Sequence, residues 1–373
     1  MADKEISRST YLSRNVGEFP AVTEVLGCRY EKADDLRYGT NPHQPAAFYK
    51  PVGAATPIGD LQILKTGKIG LSQTNLEDIS YAMNMVKFFN RPACACMKHV
   101  NPCGAAVAID DQPTKEVYAN ARVADPRAAF GCVAGFNCEV DADTAEAIMG
   151  EFTECVVAPA YTDDALAVFN DGERFKLNKH IRVVRIDNLD ALPKYTGDDT
   201  AHAATIKVLH DGCLIVSEPL LTSLRSTADL KPAEATGKKS GHVQSTAKAT
   251  EQQLDDLLLA WYLNMNVRSN GVVIVKNGVT LAVGTGEQDR VGAVEQAIVK
   301  YREKYAGEEK IQGAVMASDG FFPFPDAVEV AAEAGVTAVM SPAGSIRDIK
   351  VIKRANELGV ALYHAPERIF SHH

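Results

Sequence analysis

Between Gly271 and Tyr363 the chain alternates strand and helix patterns so regularly that few architectures can accept it. The run Gly271-Val-Val-Ile-Val-Lys276, the dipeptide Asn277-Gly278 and the run Val279-Thr-Leu-Ala-Val-Gly284 predict a hairpin, because a type I′ turn needs positive φ at both central residues. A helix pattern follows over about Arg290 to Tyr305, with Val291, Val294, Ile298, Tyr301 and Tyr305 along one side. Next come a strand over 313–317, a helix over 326–334 stopped at Gly335, and a strand over 336–340. A helix over 346–358 and a strand over 360–363 complete the series. Such alternation implies parallel pairing through right-handed crossovers.

At 373 residues and 46% hydrophobic, the chain exceeds what one core usually organises, so two lobes are expected. Residues 1–35 are polar and mixed and read as an N-terminal arm. Residues 36–187 form a first α/β lobe, with helical spacing over Asn75–Phe89, an apolar run Ala93–Met97 before Lys98, and a buried strand at Val133–Phe136. A helix starts near Asp141, with a strand at Val156–Ala158 behind it. Residues 188–249 turn polar and read as a connector. The second lobe, 250–373, opens with a capping box at Thr250-Glu-Gln-Gln253 and a helix that places Leu254, Leu257, Leu258, Trp261 and Met265 on one face and ends near Asn270.

A net charge of −9 argues against a general nucleic-acid surface, so any anion must be held by a few local cations. The charged N-terminus lacks a secretory core, no apolar run reaches the roughly 18 residues of a membrane span, and a cytoplasmic protein is expected. The eight cysteines lie mostly in apolar segments without the spacing of a disulfide scaffold, and read as reduced core thiols.

The candidate chemistry centres on Lys98-His99-Val100-Asn101-Pro102-Cys103-Gly104. An imidazole can take a proton from a weak nucleophile while a neighbouring ammonium stabilises the oxyanion that forms. Alone, the pair also reads as a surface lysine beside a capping histidine. Five further strings accompany it: Leu36-Arg37-Tyr38-Gly39-Thr40-Asn41-Pro42-His43-Gln44, Asp125-Pro126-Arg127-Ala128-Ala129-Phe130-Gly131, Ser269-Asn270, Ser318-Asp319-Gly320-Phe321-Phe322-Pro323-Phe324 and Pro342-Ala343-Gly344-Ser345.

In this order the six strings closely resemble the transformylase region of the AICAR transformylase/IMP cyclohydrolase family of bifunctional purine-biosynthesis enzymes, from about Tyr30 to His373. The resemblance implies duplicated cytidine-deaminase-like α/β/α lobes and formyl transfer from 10-formyltetrahydrofolate to the 5-amino group of AICAR. That amine is delocalised into its ring, so a proton acceptor aids its attack. His99 is the expected base and Lys98 the expected oxyanion stabiliser. Asn270 matches a residue that meets substrate from the partner subunit, although a Ser-Asn pair at a helix end also reads as a cap. Arg37, Tyr38, Arg290 and Arg368 match nucleotide contacts, as do Phe130, Gly131 and Glu154. Phe321, Asp326, Ser345, Ile346 and Val291 match folate contacts. The amides after Gly344, at the start of the last helix, form a candidate anion site beside the plain reading of a capped helix.

The deaminase-type fold raises zinc, which needs a His-x-Glu and a Pro-Cys-x-x-Cys segment. No His-x-Glu occurs, and Gly104, Ala105 and Ala106 follow Pro102-Cys103, so no zinc is expected. A monovalent cation stays open. Four positions depart from the family pattern: Glu154 for aspartate, Arg268 for lysine, Glu287-Gln288 for an amide-rich pair, and Pro325 for an arginine before Asp326. The last weakens an electrostatic hold on a folate tail. The family's N-terminal cyclohydrolase region has no counterpart here, so the expectation is a stand-alone transformylase, a homodimer with shared active sites, and a separate cyclohydrolase. The alternatives are cyclohydrolase activity itself and a silent nucleotide-binding regulator.

Overall fold

The computed structural model describes residues 14–238 and 240–372, so part of the expected N-terminal arm and His373 lie outside the described residues. Within the arm begins a three-stranded antiparallel sheet of β1 (Val22–Val25), β2 (Cys28–Asp35) and β3 (Ala47–Pro51). Then β4 (Gln62–Lys65) leads into α1 (Gln73–Val86), β5 (Ala93–Lys98), β6 (Asn101–Val107), α2 (Thr114–Val123), β7 (Cys132–Phe136), α3 (Ala142–Gly150), β8 (Thr153–Ala158), α4 (Asp163–Asn170) and β9 (Arg182–Arg185). Between the halves come a hairpin of β10 (Thr205–Val208) and β11 (Leu214–Ser217), the short β12 (Lys231–Pro232), and a second hairpin of β13 (Glu234–Gly237) and β14 (Gly241–Gln244). The order then repeats: α5 (Glu251–Asn264), β15 (Val272–Lys276), β16 (Val279–Gly284), α6 (Arg290–Lys304), β17 (Ala314–Ser318), α7 (Asp326–Ala334), β18 (Val336–Pro342), α8 (Asp348–Leu358) and β19 (Ala361–Ala365).

Twelve strands join in one sheet, ordered β12-β19-β18-β17-β15-β16-β6-β5-β7-β8-β9-β4. Outward from the antiparallel β16–β6 seam, where Val279 faces Ala106, both sides read alike. Each side has a hairpin, one more antiparallel strand, two parallel strands and an antiparallel edge strand. The duplication is therefore visible as topology, and the halves share one sheet.

Strand alternation builds three layers. In β5, Ala93, Ala95 and Met97 join a core under α1 and α5, while Cys94 and Cys96 face α2 and α3; in β15, Val273 and Val275 face the α5 side and Val272 and Ile274 the α6 side. The first of these cores draws on both halves. Small residues set the helices close to the sheet: a Cβ on Gly104 would lie 2.6 Å from the Ala121 carbonyl oxygen.

The expected capping box opens α5, with Thr250 and Gln253 exchanging hydrogen bonds. The helix ends at Asn264, earlier than the sequence pattern suggests, because the Asn264 amide turns back to donate to the Gly271 and Ala317 carbonyls at 3.2 and 3.1 Å. All eight cysteines are free, and five are buried. Among the described residues no helix is long and apolar enough to cross a membrane.

Candidate functional site

Two polar clusters occupy the same end of the twelve-stranded sheet. In the first half this end carries the β5–β6 turn and the starts of β7, β8 and β9; in the second it carries the start of β15 and the exits of β16, β17, β18 and β19. The register follows from the seam, because the two halves run antiparallel across it.

His99 and Val100 are the central residues of the β5–β6 turn, flanked by the Lys98–Asn101 pair. Both have left-handed backbones, with φ of +55° and +62°. That conformation costs an ordinary L-residue roughly 1–2 kcal/mol, and a β-branched valine is among the least suited to it. Asp78, on α1, holds the turn: its carboxylate accepts the Val100 amide at 2.7 Å and the His99 amide at 3.3 Å. Hydrogen bonds to a charged acceptor contribute roughly 1.5–3 kcal/mol, enough to offset much of the backbone cost. Burial pushes the Asp78 carboxyl up to about 6, against the pull of the two amides. One turn earlier on the same helix face, Asn75 completes the N-terminal capping box with Ser72 and donates to Glu154 at 3.3 Å.

The ring of His99 is exposed, while Lys98 reaches back and donates from Nζ to the Phe130 carbonyl. Gly131 follows with φ +78°, where a Cβ would lie 2.9 Å from the Phe152 ring and 3.1 Å from Lys98 Nζ. The exposed Phe130 ring packs on Phe152 at 4.9 Å between centroids. Lys98, His99, Phe130, Gly131 and Glu154 thus form one neighbourhood.

Arg37 belongs to it. Its buried guanidinium donates to the Tyr38 hydroxyl at 2.6 Å, and its Nε has no partner. Burial and then the nearby Arg182 lower its pKa, with Tyr38 and Glu154 opposing. Arg182 is tied by Nε to the Gly70 carbonyl at 2.6 Å. Two guanidiniums beside one carboxylate leave positive charge for an added anion. Arg182 was not singled out from the sequence; nothing in its strand pattern separates it from a surface arginine.

In the second cluster, the Asp319 carboxylate is fully buried and accepts from Arg290, from the Ser269 hydroxyl, and from the Gly271 amide at 2.8 Å. Arg290 also donates to Asn270 Oδ1 at 2.5 Å, while Asn270 Nδ2 donates to the Glu287 carbonyl at 2.9 Å. Asn270 is thereby fixed in place. Arg290 and Arg368 lie over the Phe370 ring at 5.8 and 4.4 Å. Val291, half-buried, follows Arg290 at the start of α6, while Phe321 and Asp326 are exposed beyond β17. Ser345 is half-buried and Ile346 exposed before α8.

The last helix is expected from 346 and begins two residues later, which bears on the two readings of its start. It starts at Asp348, whose carboxylate accepts the Gly344 and Ser345 amides at 2.8 and 3.1 Å, so for these two amides the structure matches the plain reading of a capped helix. The cation there is Arg347, stacked over the Phe324 ring at 4.1 Å.

Asn101 bridges the clusters. Its Oδ1 accepts from the Arg268 amide at 3.2 Å and the Thr285 hydroxyl at 2.9 Å, and its Nδ2 donates to the His99 carbonyl at 3.1 Å. Asn101 therefore ties the His99 turn to Arg268, two residues before Asn270. A separate cavity of about 670 Å³ lies between α1, segment 192–221 and the C-terminus, and is lined by none of Arg37, Lys98, His99 or Asn270. Among the described residues no group of His, Cys, Asp or Glu is arranged to hold a metal ion.

A family model described as AICARFT/IMPCHase bienzyme matches residues 2–300. The bifunctional purine biosynthesis protein of Dictyostelium discoideum is 37% identical over 356 residues, covering 95% of this chain and 60% of that protein. The corresponding protein of Bacillus cereus is 36% identical over 364 residues, covering 98% of this chain and 64% of that protein. The chain thus spans less than two thirds of the length of these relatives. Among solved structures, the apo dCMP deaminase of cyanophage S-TIM5 is 25% identical and covers 31% of this chain and 98% of its own, at a TM-score of 0.22, too low to bear on the fold.

Proposed function

The chain belongs to the AICARFT/IMPCHase bienzyme family, and from that premise we propose that it is the formyl-transferring member of the pair of activities, moving a formyl group from 10-formyltetrahydrofolate to the 5-amino group of AICAR. The observation that carries this reading is the β5–β6 turn. It presents an exposed imidazole beside a lysine, at the sheet end where Arg37 keeps an unpartnered buried Nε.

In this reading His99 takes the amine proton as the nitrogen attacks the formyl carbon, Lys98 stabilises the charge on the formyl oxygen, and the adduct then collapses by breaking the bond from the formyl carbon to the folate N10, which leaves as tetrahydrofolate with the proton that His99 gives back. Arg37, Tyr38, Arg290 and Arg368 hold the nucleotide phosphate and ribose, Glu154 a polar edge, and Phe130-Gly131 the base. Phe321, Asp326, Val291, Ser345 and Ile346 receive the folate, and Asn270 positions the carboxamide or the formyl oxygen. The exposed apolar side chains Ile206, Val208, Leu214, Ile215 and Val216 on the β10–β11 hairpin, none of them given to a ligand, support a homodimer that covers them.

The test mixes AICAR with 10-formyltetrahydrofolate and follows tetrahydrofolate release. Turnover is expected, and His99→Ala should lower kcat by about 10²–10⁴ with folding intact. Unchanged turnover in that variant removes His99 as the base. Absence of transfer combined with ring closure of the formylated product assigns the chain the other activity of its family.

A further inference from the structure

The duplicated topology supplies an internal control for the β5–β6 turn. Its counterpart in the second half is the β15–β16 turn, where Asn277 and Gly278 have φ of +50° and +72°. That turn, too, is held by a carboxylate one helix earlier: Asp256 on α5 accepts the Asn277 amide at 2.8 Å and the Gly278 amide at 2.7 Å. Asp78 on α1 and Asp256 on α5 are equivalent devices. The turns they grip differ. Asn-Gly adopts left-handed conformations readily, so the second clamp acts on a turn that closes by itself. His-Val does not, and the first clamp holds residues whose own preferences oppose the geometry.

We propose that Asp78 is a positioning residue for the candidate reaction: by accepting both turn amides it keeps Val100 left-handed and so fixes where the His99 imidazole is presented. Its assigned part is played through the turn, by way of the His99 and Val100 amides. The proposal rests on the reading of His99 as the proton acceptor, and its tests separate the two.

Asparagine at 78 keeps the shape but loses the charge, and it places an NH2 where an amide donor already points. Asp78→Asn should lower kcat by about tenfold or more while KM for AICAR changes by less than about threefold, the pattern of a group that acts only as the transition state is reached. The combined variant Asp78→Asn with Val100→Gly should recover most of the lost kcat, because glycine accepts positive φ without a clamp. Val100→Ala in the same background should not, since alanine keeps the Cβ. Asp256→Asn should leave kcat unchanged.

The second readout is independent of turnover. In protein with isotope-labelled histidine, the His99 ring resonances should shift in Asp78→Asn and return in the variant carrying Val100→Gly. Shifted and rescued resonances in a protein whose His99→Ala form is fully active keep the clamp and discard the base. Wild-type resonances and wild-type kcat in Asp78→Asn overturn the clamp, as does equal rescue by alanine and glycine. If Asp78→Asn does not fold, Val100→Gly in the unaltered background decides: it should retain kcat and the His99 resonances, and a shifted ring with lost kcat overturns the proposal.

Discussion

Replacing Asp319 by asparagine tests the scaffold that places Asn270. The Asp319 side chain is 0% exposed and that of Arg290 is 7%, so the pair is closed off from water. The carboxylate serves three donors: Arg290, the Ser269 hydroxyl and the Gly271 amide. Asparagine offers one acceptor oxygen and adds a donor among donors, and the guanidinium is left buried without a counter-charge. Breaking one partner of a buried pair costs about 3–5 kcal/mol. Against a global stability on the order of 5–15 kcal/mol, the variant should still fold but with a clearly earlier transition. Trp261 is the single tryptophan and is fully buried, so its fluorescence during urea unfolding reports the loss without a label. Adding Arg290→Gln should return about half or more of that loss, because a neutral pair no longer carries the uncompensated charge. A loss below about 1 kcal/mol, or a double variant as destabilised as the two single variants summed, refutes the argument.

Two further outcomes follow from the first cluster. Gly131→Ala sets a Cβ at φ +78° within 3.1 Å of Lys98 Nζ and 2.9 Å of the Phe152 ring, and should cost about 1–2 kcal/mol in urea unfolding and lower kcat; an unchanged kcat would show that Lys98 tolerates displacement. The Asp78 carboxyl, pushed up to about 6 by burial with Glu77 and Glu154 adding to the rise, binds its proton more tightly folded than unfolded, where it titrates near 3.8. Folding stability is therefore highest with respect to this group below about pH 4 and falls as pH rises through about 6, by about 3 kcal/mol, because burial makes ionising the carboxyl costlier in the folded protein than the two amide hydrogen bonds repay. Plotting the stability of wild type minus that of Asp78→Asn from pH 4 to 7 should show this fall, and a flat difference contradicts it.

The second half of the fold was legible because its turn chemistry and its period agree. Asn277-Gly278 announces the β15–β16 hairpin, Gly335 ends α7 at φ +113°, and Thr250 with Gln253 caps α5. The first half was less legible where tertiary contacts replace local preference. His99-Val100 carries no hairpin signal, and β6 begins with Asn101-Pro102, so the second strand of that hairpin was not read. What closes it is Asp78, some twenty residues upstream. The residue had a signal of its own: Asn75 and Asp78 put an amide and a carboxyl on the otherwise apolar buried face of α1, and buried polar groups must find partners. The short β4 and β12 pair only at the sheet edges and show too few residues for a pattern. The candidate site residues came from the family resemblance rather than from periodicity; Arg182 lies outside the six strings and Asp319 inside one of them, and neither was given a role, because charging and bracing leave no mark on a strand pattern or a motif.

The duplication also explains why one sheet end carries all the candidate residues. Because the halves are antiparallel across the β16–β6 seam, each sheet end combines the hairpin turn of one half with the strand exits of the other. At one end, Lys98-His99-Val100 meets the loops that bear Asn270, Arg290 and Asp319. At the opposite end the equivalent turn is Lys276-Asn277-Gly278, and there Lys276 is neutralised by Glu309 at 2.7 Å. The two turns share a lysine, a carboxylate clamp and a left-handed backbone. They differ in that one holds an imidazole on a strained valine turn and the other an amide on a relaxed glycine turn. A backbone built for stability alone needs only the second arrangement. The first persists against local preference at the end where the arginines gather, which is where strain in a fold most often coincides with chemistry.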